Sequence, residues 1–123
     1  MRIIVATLAM IFTSTSANAQ TYGREVQSSC ERFLNEYRPV PNSIFETIPD
    51  DRAAQQCYGF VTVVRVAHER TRMLPKQCVP PGTSTVQLIR MIVDYGQQQP
   101  EELNQPSMQF VLNALLKGFH CAK

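Results

Sequence analysis

The residues of this chain that could do chemistry are two histidines, two pairs of adjacent carboxylates and four cysteines. His120 stands next to Cys121, and a histidine beside a cysteine can activate it as a nucleophile. Adjacent residues rarely point at each other in a useful geometry, however, and Cys121 has other cysteines with which to pair. His68 precedes Glu69 close to an apolar stretch, where a surface or half-buried structural role explains it better than a metal site. Neither histidine therefore predicts a catalytic or metal centre.

The paired carboxylates are Asp50-Asp51 and Glu101-Glu102. General acid and base pairs need burial or opposed environments that separate their pKa values. Both pairs lie in expected connections between helices, where solvation or helix capping accounts for them. The sequence also lacks the G-x-S-x-G, H-E-x-x-H and phosphate-binding glycine patterns. We expect a protein that is not an enzyme and needs neither a cofactor nor a metal.

The four cysteines are Cys30, Cys57, Cys78 and Cys121. Their separations of 27, 21 and 43 residues include no close pair of the C-x-x-C kind that zinc sites use. An even number of cysteines in a small exported domain is typical of disulfide bonds. We therefore expect two disulfides and an oxidising compartment, which is the periplasm if the source is Gram-negative.

The first residues predict export. Met1-Arg2 is a short basic start, residues 3–12 are apolar, and the stretch that follows ends in Ala17-Asn18-Ala19. This arrangement is typical of a secretory signal that is cleaved after Ala19. A membrane anchor is the alternative, but a bilayer span needs about 20 apolar residues. We predict a cleaved signal peptide over residues 1–19 and a single domain over residues 20–123.

The mature chain is expected to carry almost no net charge. Lys and Arg number 12 and Asp and Glu number 10, and removal of Arg2 leaves 11 basic side chains against 10 acidic ones. Nucleic-acid binding normally needs a strongly basic face, and membrane-surface binding needs a block of like charge. The composition therefore points to neither partner once the signal is removed, and a protein partner is the expectation that remains.

Hydrophobic spacing predicts helices throughout the mature chain. The first runs over residues 24–37 with one apolar face, and Pro39 stops it. The second runs over residues 53–72, with Asp50 or Asp51 as its cap. Its centre is rich in β-branched residues, so a strand is the competing interpretation. The surrounding Ala, Gln, Glu and Arg favour a helix, and the apolar residues around most of its circumference predict a central position in the bundle.

The second half of the chain has clear helix signals. Ser84 and Gln87 form a capping box that begins a helix, and Gly96 is expected to end it. Residues 100–103 fit one further helical turn, and Pro106 suits the first position of the last helix. The apolar face of that helix comprises Met108, Val111, Leu112, Leu115 and Phe119. In the connection over residues 39–52, the apolar Ile44, Phe45 and Ile48 are expected to pack against the body. The fold class predicted is all-α, a small disulfide-linked bundle of about four to five helices.

The order of the helices predicts the disulfide pairing. If the last three helices run up, down and up, the turn at Cys78 and the chain end at Cys121 lie at the same end. Cys57 lies at the other end and is left for Cys30. We therefore predict the pairs Cys30–Cys57 and Cys78–Cys121, each stabilising the fold by about 3–4 kcal/mol through loop entropy.

Several short motifs follow one another in a specific order from Cys57 onward. They are Cys57-Tyr58-Gly59-Phe60, Cys78-Val79-Pro80, Gly82, Ser84, Gln87, Leu88-Ile89-Arg90, Tyr95, Pro100-Glu101-Glu102-Leu103, Pro106, Ala114-Leu115 and Phe119-His120-Cys121. In this order they resemble the Rap/Tai family of immunity proteins, which protect bacteria from type VI secretion amidase effectors. The resemblance implies an all-helical periplasmic protein, often dimeric, that binds a peptidoglycan-cleaving amidase and blocks its active-site cleft. Such amidases use a cysteine nucleophile, and the inhibitor itself undergoes no chemistry.

A surface for the protein partner is expected near the turn between the last two helices. The candidate contact residues are Arg90, Asp94, Gln97, Gln98, Gln99, Glu101 and Glu102. The alternative interpretation is a small periplasmic stress chaperone or adaptor, a class of helical, disulfide-linked proteins that expose apolar surface when acidified. The two hypotheses differ at low pH, because a chaperone should loosen and bind unfolded clients near pH 3 whereas an inhibitor should stay compact.

Overall fold

The computed structural model describes residues 22–42, 47–71, 74 and 78–121. They form four α-helices and one short 3₁₀ helix: α1 (Gly23–Glu36), α2 (Arg52–Thr71), α3 (Thr85–Gln98), the 3₁₀ helix (Pro100–Asn104) and α4 (Ser107–Gly118). The only extended pairing in this part of the chain is an isolated bridge between Tyr22 and Pro106. The predicted all-α bundle is confirmed, whereas the predicted signal peptide lies outside the described residues. No helix of the described part is both long and apolar enough to span a bilayer.

The central element of the bundle is α1, which packs against α2, α3, α4 and the 3₁₀ helix. Its Val26, Cys30 and Phe33 recur at steps of four and three and are fully buried. This periodicity places one continuous apolar stripe toward the other helices. The stripe meets the buried residues of α3 and α4, among which Ile89, Ile92, Phe110 and Val111 are all fully buried.

The expectation that α2 occupies the middle of the bundle is wrong. Val63 is 62% exposed and Val66 is 38% exposed, and Gly59 on the same side is exposed as well. The helix packs mainly against α1 and α3, so only one side of it is covered. Apolar residues around most of the circumference indicated that α2 could be buried on several sides, but they did not determine how many helices would pack against it.

Two predicted caps are confirmed by hydrogen bonds. The Asp51 carboxylate accepts from the backbone N–H of Ala54 at 3.0 Å, so the residue that caps α2 is Asp51 rather than Asp50. At the start of α3, Ser84 Oγ accepts from the Gln87 N–H at 3.1 Å, and the Gln87 side chain accepts from the Ser84 N–H at 2.9 Å. These bonds satisfy donors that a helix start otherwise leaves open.

Gly96 does not end α3, which continues to Gln98. The glycine is buried, and the Gln27 side chain of α1 lies over its Cα so closely that an added Cβ would collide with the Gln27 amide. Gly96 therefore allows α1 and α3 to approach each other. The Gln27 amide donates to the Val93 carbonyl at 2.9 Å and so links the two helices.

Other local predictions had mixed outcomes. The 3₁₀ helix matches the predicted turn over residues 100–103, and Pro106 is the cap of α4 rather than its first residue. Ile48 is 43% exposed and does not pack into the core as expected. Ile44 and Phe45 lie outside the described residues. The predicted face of α4 holds, although Phe110 and Ala114, which were not predicted, are more deeply buried than Met108 or Leu112.

Both predicted disulfides are confirmed. Cys30 and Cys57 join α1 to α2 with their Cα atoms 5.0 Å apart. Cys78 and Cys121 join the turn before α3 to the end of α4 across 5.3 Å. Because Cys121 is bonded to Cys78, it is not a free thiol that His120 could activate. His120 follows α4 with a φ of 50°, and its N–H donates to the Lys117 carbonyl at 3.2 Å, so its backbone forms the turn after the helix.

Candidate partner-binding surface

The outward side of α3 carries a row of polar residues. Arg90, Asp94, Gln97 and Gln98 are exposed, and steps of three and four along a helix place them on neighbouring positions of one side. The other side of α3 is held in the core by Leu88, Ile89, Ile92 and Val93. Because the apolar side of α3 is fixed in the core, the polar row on the opposite side is held in place by a regular helix.

The contact segment, residues 97–102, joins the end of α3 to the 3₁₀ helix. The Gln99 N–H donates to the Tyr95 carbonyl at 2.8 Å, and the Glu102 N–H donates to the Gln99 carbonyl at 3.0 Å. Just beyond the segment, the Gly23 N–H at the start of α1 donates to the Gln105 carbonyl at 2.8 Å. The first two bonds order the segment, and the third anchors the chain just after it to α1.

Glu102 connects the 3₁₀ helix to α4, because its carboxylate accepts from the Asn113 amide at 3.3 Å. Burial raises the pKa of Tyr95 above its ordinary value, and the nearby negative charge of Glu102 raises it further. The Tyr95 side chain of α3 therefore lies near the Glu102 carboxylate.

Lys117 of α4 also lies near the contact segment. Its ammonium group is 5.9 Å from the centroid of the Tyr95 ring. With its amide oriented to satisfy both neighbours, Gln99 donates to Glu101 at 2.7 Å and accepts from Lys117 at 2.9 Å. Lys117 thus places a positive charge close to the C-terminal end of α3, where the helix dipole favours cations.

Two shallow grooves run beside the polar row. One, of about 310 Å³, lies between α3 and α4 and is lined by Met91, Asp94, Tyr95, Gln98, Lys117 and His120, among others. The second, of about 370 Å³, is lined by Thr83, Gln87, Arg90, Met91 and Phe119. Met91 is a wall of both, so the two grooves adjoin along α3. Their mixed apolar and polar lining suits contact with another protein.

A comparison with protein-family models identifies the family. The model for Rap1a immunity proteins matches residues 17–121. The chain belongs to this family. No curated protein and no solved structure matches it. Membership of the Rap1a family supports a role as an immunity protein, and it implies that the molecule acts by binding a protein effector.

A further cavity of this Rap1a protein lies elsewhere, between the second half of α2 and the turn before α3. It measures about 730 Å³, and its walls include Arg65, His68 and Glu69. Arg65 donates to the Thr83 carbonyl at 3.2 Å, and His68 Nδ1 accepts from the Leu74 N–H at 3.2 Å. Both side chains therefore hold backbone in place, which agrees with the structural role expected of His68. Within the described residues, no three His, Cys, Asp or Glu side chains are grouped as metal ligands.

The seven predicted contact residues lie on the same part of the Rap1a molecule, but they differ in exposure. Arg90, Asp94, Gln97, Gln98 and Glu101 are exposed, whereas Gln99 and Glu102 are half-buried. Sequence reasoning missed Lys117 and Asn113, which contact the segment from α4. The i, i+4 spacing of these two residues indicates a shared helix side, but nothing in the sequence indicates that this side faces residues 99–102.

Proposed function

We propose that this Rap1a-family protein is a periplasmic immunity protein that binds a type VI secretion peptidoglycan amidase effector and occupies its active-site cleft. Family membership over residues 17–121 is the observation that carries the proposal. The two disulfides support a secreted, periplasmic location, since such bonds persist in oxidising compartments. The resemblance of the motifs from Cys57 onward supports an amidase as the target.

The contact segment and the exposed row of α3 are the surface we assign to the effector. The segment is ordered before binding, so little conformational entropy is lost when a partner contacts it. Its exposed side chains, Gln97, Gln98 and Glu101, are polar and can form hydrogen bonds within a cleft that normally binds peptide. Nothing in this arrangement requires the inhibitor to react, and occlusion alone would stop the enzyme.

The test combines binding with enzyme activity. Mature protein, residues 20–123, is mixed with purified amidase effectors of the same secretion system, and cleavage of peptidoglycan is followed. We expect inhibition at equimolar protein. Asp94→Arg should weaken effector binding by about tenfold or more, because reversal of a contact charge costs at least about 1.4 kcal/mol. Asp50→Arg is the matched control, since Asp50 is exposed, precedes α2 and lies outside both α3 and the contact segment, and it should bind like wild type.

Two results would refute parts of the proposal. Binding without loss of amidase activity would remove the claim of occlusion. Equal effects of Asp94→Arg and Asp50→Arg would remove the assignment of the surface while leaving the inhibition intact.

The exposed side of α2 supports a second part of the proposal, which is a homodimer. Gly59, Val63 and Val66 lie along this side at steps of four and three, and space is open above Gly59, where an added Cβ would meet no atom within 4 Å. Two α2 helices packed antiparallel, with the two-fold axis between Thr62 and Val63, would place each Val66 over the partner's Gly59. The same arrangement sets Gln55 opposite Arg70 and Gln56 opposite Glu69, so no like charges meet.

The dimer is tested by solution mass. We expect wild-type protein to sediment as a dimer at micromolar concentration and Val63→Glu to sediment as a monomer. Val40→Glu is the matched control, because Val40 is 49% exposed and lies outside α2, and it should remain dimeric. A monomeric wild type that binds unfolded client proteins near pH 3 would instead support the chaperone interpretation of the apolar α2 surface.

A further inference from the structure

We propose that Glu102 and Asn113 are positioning residues, which hold the contact segment against α4 in the shape that the effector recognises but do not touch the effector. This inference rests on the function proposed above. According to this inference, some of the seven predicted contact residues face the effector, whereas others form hydrogen bonds inside the molecule.

The backbone alone does not attach the middle of the segment to the rest of the bundle. The backbone N–H groups of Gln99 and Glu102 donate to residues three or four positions earlier, and the nearest backbone bond to a helix other than α3 is the one between Gln105 and Gly23. Attachment of residues 99–102 to α4 therefore depends on side chains. Two such links exist, through Glu102 and through Gln99.

The Glu102 link is part of a chain of hydrogen bonds that joins α4 to the 3₁₀ helix. Gln109 Nε2 donates to Asn113 Oδ1 at 2.7 Å, and Asn113 Nδ2 donates to Glu102 at 3.3 Å. The first bond fixes the orientation of the Asn113 amide, so that its nitrogen faces the carboxylate. The Asn113 amide already donates to the Glu102 carboxylate inside the molecule, so this carboxylate is poorly placed to contact a partner.

Glu101 is the contrasting neighbour. It is exposed, whereas Glu102 is half-buried, because consecutive residues of a tight helix point in different directions. The two residues have the same side chain, the same charge and almost the same position in the sequence. The Glu101 carboxylate accepts from the Gln99 amide two residues away, whereas the Glu102 carboxylate is bonded to α4. The two residues therefore provide a matched pair in which one carboxylate holds the segment to α4 and the other lies on its exposed side.

The experiment compares Glu102→Ala, Asn113→Ala and Glu101→Ala by amide hydrogen exchange of the free protein and by affinity for the amidase effector. For Glu102→Ala and Asn113→Ala we expect exchange over residues 99–105 to rise at least about tenfold. We also expect the effector dissociation constant to rise on the order of tenfold, because a mobile segment must be ordered on binding. Glu101→Ala should weaken binding without any change in exchange.

Exchange in α1 over residues 26–33 serves as the internal control, since it should stay protected in every variant. Glu102→Gln should restore much of the protection, because its amide oxygen can still accept from Asn113. If Glu102→Ala weakens effector binding and leaves exchange unchanged, Glu102 is a contact and the proposal is wrong. If both variants bind like wild type, the proposal is also wrong. The exchange measurement needs no effector, so failure of wild type to bind any amidase would refute the proposed function separately.

Discussion

Asp51 stabilises two helices with one carboxylate. One oxygen accepts from the Ala54 N–H at 3.0 Å, and the other lies 3.3 Å from the Arg32 guanidinium of α1. The cap is the larger contribution, because exposed ion pairs contribute little and the Arg32 side chain is 57% exposed. We expect Asp51→Ala to lower the free energy of unfolding by about 1 kcal/mol, measured by urea denaturation.

Asp50→Ala is the matched control for this residue. Asp50 is exposed and immediately precedes the cap, so its removal should change stability by less than about 0.5 kcal/mol. An equal loss in both variants would mean that general negative charge near the start of α2, rather than the hydrogen bond to Ala54, stabilises the helix.

Glycine has different roles in α2 and α3, and the difference can be measured with one substitution in each helix. In α2, an added Cβ on Gly59 would meet no atom within 4 Å, so Gly59→Ala should stabilise the monomer by about 0.5–1 kcal/mol through helix propensity. In α3, a Cβ on Gly96 would collide with the Gln27 amide. Gly96→Ala should therefore destabilise the protein by about 1–3 kcal/mol, because α1 and α3 must separate or Gln27 must move.

Thermal and urea denaturation of both variants at several protein concentrations provides the measurement. Dependence on concentration reveals any contribution of a dimer to apparent stability, which matters for Gly59 because it lies in the proposed interface. A stabilising Gly96→Ala would show that α1 and α3 do not approach each other as closely as the structure has them.

The elements were largely predictable from sequence because local signals define them. Capping by Ser84 and Gln87, the apolar period of α1 and the proline before α4 fixed the helix limits to within one or two residues. Where neighbours decide the outcome, the predictions were wrong: α2 has one open side, and Gly96 serves a helix contact instead of a helix end. Both outcomes depend on which helices pack together, which periodicity within a single helix does not reveal.

The same limit applies to the candidate surface. Exposed polar residues of α3 can be recognised from its period, so the position of Asp94 and Gln98 outside the core was predictable. That Glu102 turns toward Asn113 while Glu101 stays exposed was not, because the difference depends on how α4 lies beside the 3₁₀ helix. Contact with the effector remains a prediction for the exposed residues among the seven, whereas Glu102 is proposed to act from inside the molecule.

For the molecule as a whole, the two disulfides hold the bundle together in different surroundings. Cys30 and Cys57 are fully buried between α1 and α2, whereas Cys78 and Cys121 are half-buried at the end of the bundle. Attack by a thiolate requires access to a sulfur atom. We therefore expect a mild reductant under native conditions to open Cys78–Cys121 well before Cys30–Cys57, as followed by alkylation of the released thiols and peptide mass analysis.

Full reduction should lower the melting temperature by more than about 10 °C, since each closed loop contributes about 3–4 kcal/mol and a domain of this size shifts by several degrees per kcal/mol.

The paired variants Cys78→Ala/Cys121→Ala and Cys30→Ala/Cys57→Ala separate the two contributions without any reductant. The first should keep the α1–α2 contact and a cooperative transition, because its effect is confined to the turn before α3 and the chain end. An unchanged melting temperature on reduction, or release of the buried pair first, would contradict the view that cross-links rather than core size alone keep this small bundle rigid enough to present a fixed surface.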